Sequence, residues 1–267
     1  MYQRLKLFLY ICILVTGSGF KSSQAQETGF LERSLPLNGY DRPYQIYVPG
    51  NYDPNKKWPV ILFLHGAGEQ GWDGYSQTTV GLGTAIKRYT ERYPAIVVFP
   101  QARPPLGWTE EDAEFAMRTL EDAEREYSTD KDRVYITGLS NGGYGAWRLA
   151  YKYPDRFAAA LVICGFLSDD ERYNSDVPFP RFNPAIKTDN IDLYNALAQK
   201  IKHMPIWIYH GDDDNVIDVD GSRNIYRALL GYSADVKYTE LPGIGHNSWD
   251  IAYRSISTAK WLFEQSK

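Results

Sequence analysis

Five short apolar runs punctuate the chain, and each ends in glycine or proline: VILFLHG (60–66), AIVVFP (95–100), RVYITG (133–138), FAAALVICG (157–165) and IWIYHG (206–211). They are continuous rather than alternating, the pattern of strands buried on both faces in a parallel sheet. Between two of them, residues 108–127 place Ala113, Ala116, Leu120, Ala123 and Tyr127 at three- and four-residue spacing. That is one stripe of an amphipathic helix, and Thr109 stands where an N-cap would. RPYQIYVP (42–49) alternates instead and reads as an antiparallel strand at the start of the sheet. DVKYTELPG (235–243) supplies a last strand, and residues 248–265 a closing helix. Strand following helix following strand predicts an α/β class: a mostly parallel, doubly wound sheet covered by helices on both faces, with no large cap domain. Residues 167–190 form one long polar, proline-bearing stretch, expected to flank a cleft.

The chain has 267 residues, 43% hydrophobic and 23% charged, enough for one domain with a sizeable core. The formal charge of −4 is scattered, so no basic stripe exists to track a phosphate backbone, and nucleic acid is excluded as a partner. Arg4 and Lys6 precede nine apolar residues (7–15), and Ser23-Gln24-Ala25 offers a small-x-small cleavage site. Residues 1–25 therefore read as a secretory signal, with a secreted or periplasmic catalytic domain over 26–267 and no membrane association after cleavage. Of the two cysteines only Cys164 lies beyond the signal, so a disulfide framework and a cysteine metal site are both excluded. Cys164 reads as a packed thiol.

The stretch YITGLSNGGYGAW (135–147) carries the candidate chemistry. Gly138-x-Ser140-x-Gly142 falls between a strand and the following helix, where small neighbours allow a serine to sit on a sharp turn with its hydroxyl exposed. A serine hydroxyl needs a base, and the base needs an acid. His203 belongs to an amphipathic segment. His65 and His210 each precede a glycine at a strand end and read as loop-shaping residues. His246, in LPGIGHNSWD after the last strand, can reach back over the sheet and is the expected base. Asp212, Asp213, Asp214, Asp218 and Asp220 all lie just past one strand, and spacing does not choose among them. The backbone N–H of Asn141, directly after the serine, and that of Ala67, in the loop after the first parallel strand, are the expected oxyanion donors. The glycines around Ala67 lack the spacing of a P-loop or dinucleotide fingerprint. Glu69, beside them, reads as bracing that loop.

Taken together, LFLHGAGEQG, FPQA, DRVYITGLSNGGYGAW, IYHGDDDNVID and GIGHNSWD resemble the compact esterase branch of the α/β-hydrolase superfamily, from about Arg42 to the C-terminus. This branch includes feruloyl and acetyl-xylan esterases, polyhydroxybutyrate-depolymerase-like esterases and phospholipase/carboxylesterase-type proteins. The resemblance implies an α/β-hydrolase fold and a serine esterase with Ser140 as nucleophile, His246 as base, Asp214 as acid, and Ala67 with Asn141 as oxyanion hole. It implies no metal and no organic cofactor. The family often has methionine after the nucleophile, where this chain has Asn141. The expected substrate is an ester, feruloyl or acetyl and polysaccharide-linked, with Trp72, Trp108 and Trp249 as an aromatic platform. A serine peptidase on the same scaffold and a non-catalytic carbohydrate-binding protein are the competing readings.

Overall fold

Every other residue of a continuous apolar strand faces the opposite way, so such a strand is stable only between two apolar layers. The computed structural model, which describes residues 27–105, 107–167 and 191–267, has this arrangement. Its strands are β1 (Gly29–Leu37), β2 (Tyr40–Val48), β3 (Trp58–Leu64), β4 (Ile96–Pro100), β5 (Thr129–Leu139), β6 (Ala159–Ile163), β7 (Ile206–Gly211) and β8 (Val236–Leu241). They form one sheet in the order β1-β2-β4-β3-β5-β6-β7-β8. β1, β2 and β4 pair antiparallel, and from β4 through β3 to β8 all pairings are parallel.

The helices are α1 (Leu82–Arg88), α2 (Glu110–Glu126), α3 (Asn141–Lys152), α4 (Ile191–Ile201), α5 (Val219–Gly231), α6 (Trp249–Arg254) and α7 (Ile256–Phe263). On one face, Val60, Leu62 and Leu64 of β3 pack with α2 (Phe115, Leu120), α3 (Trp147, Leu149), α4 (Leu197) and α5 (Ile225, Leu229). On the other, Ile61 and Phe63 pack with Leu82 and Ile86 of α1, Tyr253 of α6 and Trp261 of α7. Each large side chain so buried contributes about 1.5–3 kcal/mol, which is why the strand runs carry no polar alternation.

The chain departs from the sequence expectation in three places. β1 was not anticipated: it forms a hairpin with β2 through Asn38 (φ 51°) and Gly39 (φ 84°), the Asn-Gly pair that a tight two-residue turn favours. The closing helix is two helices, because Ser255 is extended (φ −73°, ψ 124°) and its hydroxyl accepts from Thr258 N–H at 3.2 Å to start α7. Thr109 does occupy the N-cap of α2, yet its hydroxyl turns to Asp112 Oδ2 at 3.5 Å rather than to a backbone N–H. The expected signal over 1–25 and nearly all of the 167–190 stretch lie outside the described residues.

Candidate active site

The parallel strands all end at one edge of the sheet, which is where ligands bind in open α/β folds. Ser140 stands there, between β5 and α3, with φ 53° and ψ −119°, a left-handed conformation unusual for a residue with a side chain. Its N–H is fixed to Ile163 O at 2.9 Å, and its carbonyl accepts from Tyr144 N–H at 3.1 Å. The neighbouring glycines explain themselves by contact: a Cβ on Gly138 would overlap the carbonyl of Gly142, and one on Gly142 the carbonyl of Leu64. The corner is tight because three backbone segments touch there.

Ser140 Oγ lies 2.9 Å from His246 Nε2, and His246 Nδ1 lies 2.7 Å from Asp214 Oδ2. The Asp214 side chain is fully buried and that of His246 is 19% exposed. Asp214 Oδ1 accepts from the N–H groups of Val216 and Ile217, both at 2.9 Å. Burial by itself would raise the Asp214 carboxyl; the hydrogen bonds from His210, His246 and those two N–H groups outweigh it and hold the group well below the usual carboxylate range. Geometry thus separates the five aspartates that spacing left open. Asp212 accepts from Gly243 N–H, Asp218 caps α5, Asp220 pairs with Arg223, and Asp213 is exposed.

Asn141 is the first residue of α3 and Ala67 the first of a 3-10 turn over Ala67–Glu69. Both N–H groups therefore sit at helix starts, where no intrahelical acceptor exists. A family model described as "Putative esterase" matches residues 37–229. The chain belongs to this esterase family.

Among its relatives, an uncharacterized secreted protein of Arthroderma benhamiae is 30% identical over 79% of this chain, which spans 23% of that protein. A probable feruloyl esterase C of Aspergillus terreus is 28% identical over 56% of this chain and 57% of its own length. The chain spans less than two thirds of either. A crystal structure of a thermostable esterase superposes with a TM-score of 0.74 at 32% identity, covering 89% of this chain and 63% of that one. The fold is that of the α/β-hydrolases, and the similarity places the chain beside the feruloyl and acetyl-xylan esterase branch.

The tryptophans separate. Trp108 is fully buried, donates through Nε1 to His65 O at 3.0 Å and lies against Gly145, where a Cβ would come within 2.6 Å of its ring. It cannot present a face to substrate, so its assignment to the aromatic platform is corrected. Trp72 is 62% exposed, with the Arg103 guanidinium 5.3 Å from its ring. Trp249 is half-buried, and its ring stands edge-on 5.3 Å from that of His246.

His65 is fully buried and pushed down to about 4 by burial. Its Nε2 accepts from Ala102 N–H at 2.9 Å and its Nδ1 donates to Gly66 O at 2.6 Å, so the neutral ring ties the turn that carries Ala67 to the loop just after β4. Glu69 folds back toward Gly66, where a Cβ would meet its Oε2 at 3.2 Å; burial raises its carboxyl above the usual range. Gln101 holds the same loop by donating to Glu69 O at 3.0 Å and Asp73 Oδ1 at 3.1 Å. His203, exposed, sits 3.0 Å from Pro154 O, away from the strand ends. Cys164 is buried as expected and its thiol is pushed up by burial. Cys164, Asp214 and His246 bring potential metal-ligating atoms within 4.8 Å of one another, but Asp214 and His246 already satisfy each other and the thiol holds its proton.

Two features were missed in the sequence. The side-chain amide of Asn141, 1% exposed, has no hydrogen-bond partner among the described residues. His210, read as shaping a loop, touches Asp214; the spacing of four residues between them was the available signal.

Proposed function

We propose that the protein is a secreted serine esterase that acts through an acyl-enzyme, with Ser140 as nucleophile, His246 as general base and Asp214 as the acid that orients it. The observation that carries this reading is the single imidazole of His246 bridging Ser140 Oγ at 2.9 Å and Asp214 Oδ2 at 2.7 Å. His246 Nε2 takes the hydroxyl proton as Oγ attacks the ester carbonyl, and the ionised Asp214 stabilises the imidazolium that results. The carbonyl oxygen, now an oxyanion, is met by the N–H groups of Asn141 and Ala67, one of them at the positive end of the α3 dipole. The proton then passes from Nε2 to the departing alcohol. Water, deprotonated by the same nitrogen, releases the acid and restores Ser140.

Feruloyl or acetyl esters of plant polysaccharides are the proposed substrates, supported by the feruloyl esterase relative and by two partly exposed tryptophans, Trp72 and Trp249, at the strand-end loops. Hydrolysis of a short-chain aryl ester and labelling by a fluorophosphonate probe, each in the wild type and in Ser140→Ala, test the chemistry. Turnover and labelling that both vanish in the variant support it; turnover that persists in Ser140→Ala removes it. Trp72→Ala is expected to lower the rate on feruloylated polysaccharide more than on the aryl ester.

A further inference from the structure

His210 is a buried titratable group that this mechanism leaves unused. It is the penultimate residue of β7, is fully buried, and its Nε2 lies 3.1 Å from Asp214 Oδ2 and 3.1 Å from Ile217 O. An ionised carboxylate and a carbonyl can only accept, so Nε2 carries a hydrogen shared between them. Its Nδ1 lies 2.7 Å from Ser222 Oγ of α5, itself 1% exposed. In the neutral ring that nitrogen accepts the Ser222 hydroxyl proton.

The other groups facing this pair are engaged elsewhere or uncharged. Glu240 stands opposite His210 in the β7–β8 register, but its carboxylate is taken by Arg223 at 2.8 and 2.6 Å and by Tyr238 at 2.5 Å. Just past β6, Cys164 approaches Asp214 as a neutral thiol.

We propose that His210 is a positioning residue for the reaction: its Nε2–H pins Asp214 Oδ2 at the angle His246 requires, and Ser222 locks His210 in the tautomer that can do so. This rests on the serine-esterase reading above. Without His210, Oδ2 would be held by His246 alone, the group it is meant to orient, and the carboxylate could rotate about its two backbone bonds. A donor on this side of Oδ2 fixes the carboxylate while leaving it ionised to stabilise the His246 imidazolium.

The test compares His210→Leu, which removes the donor, with His210→Gln, whose amide nitrogen can restore it. The readouts are kcat and KM on the aryl ester, the pH dependence of kcat/KM, and the downfield Nδ1–H proton signal of His246 in histidine-labelled protein. His210→Leu is expected to lower kcat about ten- to a hundredfold, as loss of a hydrogen bond to a charged group implies, with KM nearly unchanged. The acidic limb of kcat/KM should move to higher pH and the Nδ1–H signal broaden. His210→Gln should recover most of the rate and the signal. Unchanged kcat and signal in a folded His210→Leu overturns the proposal, and so does a Gln variant as impaired as Leu. Should His210→Leu not fold, Ser222→Ala takes its place, and a wild-type rate and signal there likewise overturn it. If the wild type neither turns over ester nor labels with fluorophosphonate, the esterase chemistry fails separately, and the proton signal alone decides the role of His210.

Discussion

The indole N–H of Trp108 donates to the main-chain carbonyl of His65 at 3.0 Å, and the two rings lie 4.9 Å apart. His65 in turn holds Gly66, the residue before Ala67. Trp108 therefore braces the turn that carries Ala67, the proposed oxyanion donor. Trp108→Phe keeps most of the packing and strands one buried carbonyl, at about 1–3 kcal/mol. Aryl-ester kinetics should show a lower kcat with little change in KM, whereas loss of a substrate platform would raise KM.

Gly142 admits no side chain, because its Cβ would overlap the carbonyl of Leu64. Gly142→Ala is expected to separate α3 from β3 and to destabilise the fold by about 1–3 kcal/mol or more. Urea denaturation measures it. A variant within about 0.5 kcal/mol of the wild type would contradict the close approach.

Burial lowers the His65 imidazole to about 4 in the folded chain, from an ordinary value near 6.5. The unfolded chain therefore binds a proton between those values that the folded chain excludes, and stability contributed above pH 6.5 is lost as the pH falls toward 4. The full difference is about 3 kcal/mol. Urea midpoints recorded across this window should decline on acidification, with a shallower decline in His65→Gln.

Arg42 donates to Asp112 Oδ1 at 2.5 Å and to Gln101 O at 3.0 Å, and its guanidinium lies 3.9 Å from the centre of the Phe115 ring. Both charged side chains are almost fully buried. Arg42→Met leaves a buried carboxylate beside Arg103 and the Thr109 hydroxyl and should cost about 3 kcal/mol, less than the upper end for an unpaired ion because of those neighbours. The double variant Arg42→Met/Asp112→Leu should recover part of the loss, which a thermal melt would reveal.

The parallel strands and the serine corner were legible because each rests on a local pattern: two-sided burial makes the apolar runs, and backbone contact makes the glycines. β1 was overlooked although Asn38-Gly39 announces a hairpin, since its partly exposed residues carry no continuous apolar run. The break at Ser255 was hidden because α6 and α7 pack on the same face and keep one apolar rhythm across it. Asp214 could not be told from its neighbours by spacing, because what distinguishes it is the turn that aims two N–H groups at one of its oxygens. Trp108 misled for the same reason: a loop position next to a cleft says nothing about which way a ring turns.

Ser140 follows a strand flanked on both sides by parallel neighbours, whereas His246 is carried by the loop after β8, a half-buried strand at one edge of the sheet. The proposed nucleophile and base are thus mounted on parts of unequal resilience. Fraying of that margin would part them while the central layers stay intact. Catalysis should fade at lower denaturant concentrations than circular dichroism does, and amide exchange around His246 should outpace that around Ser140.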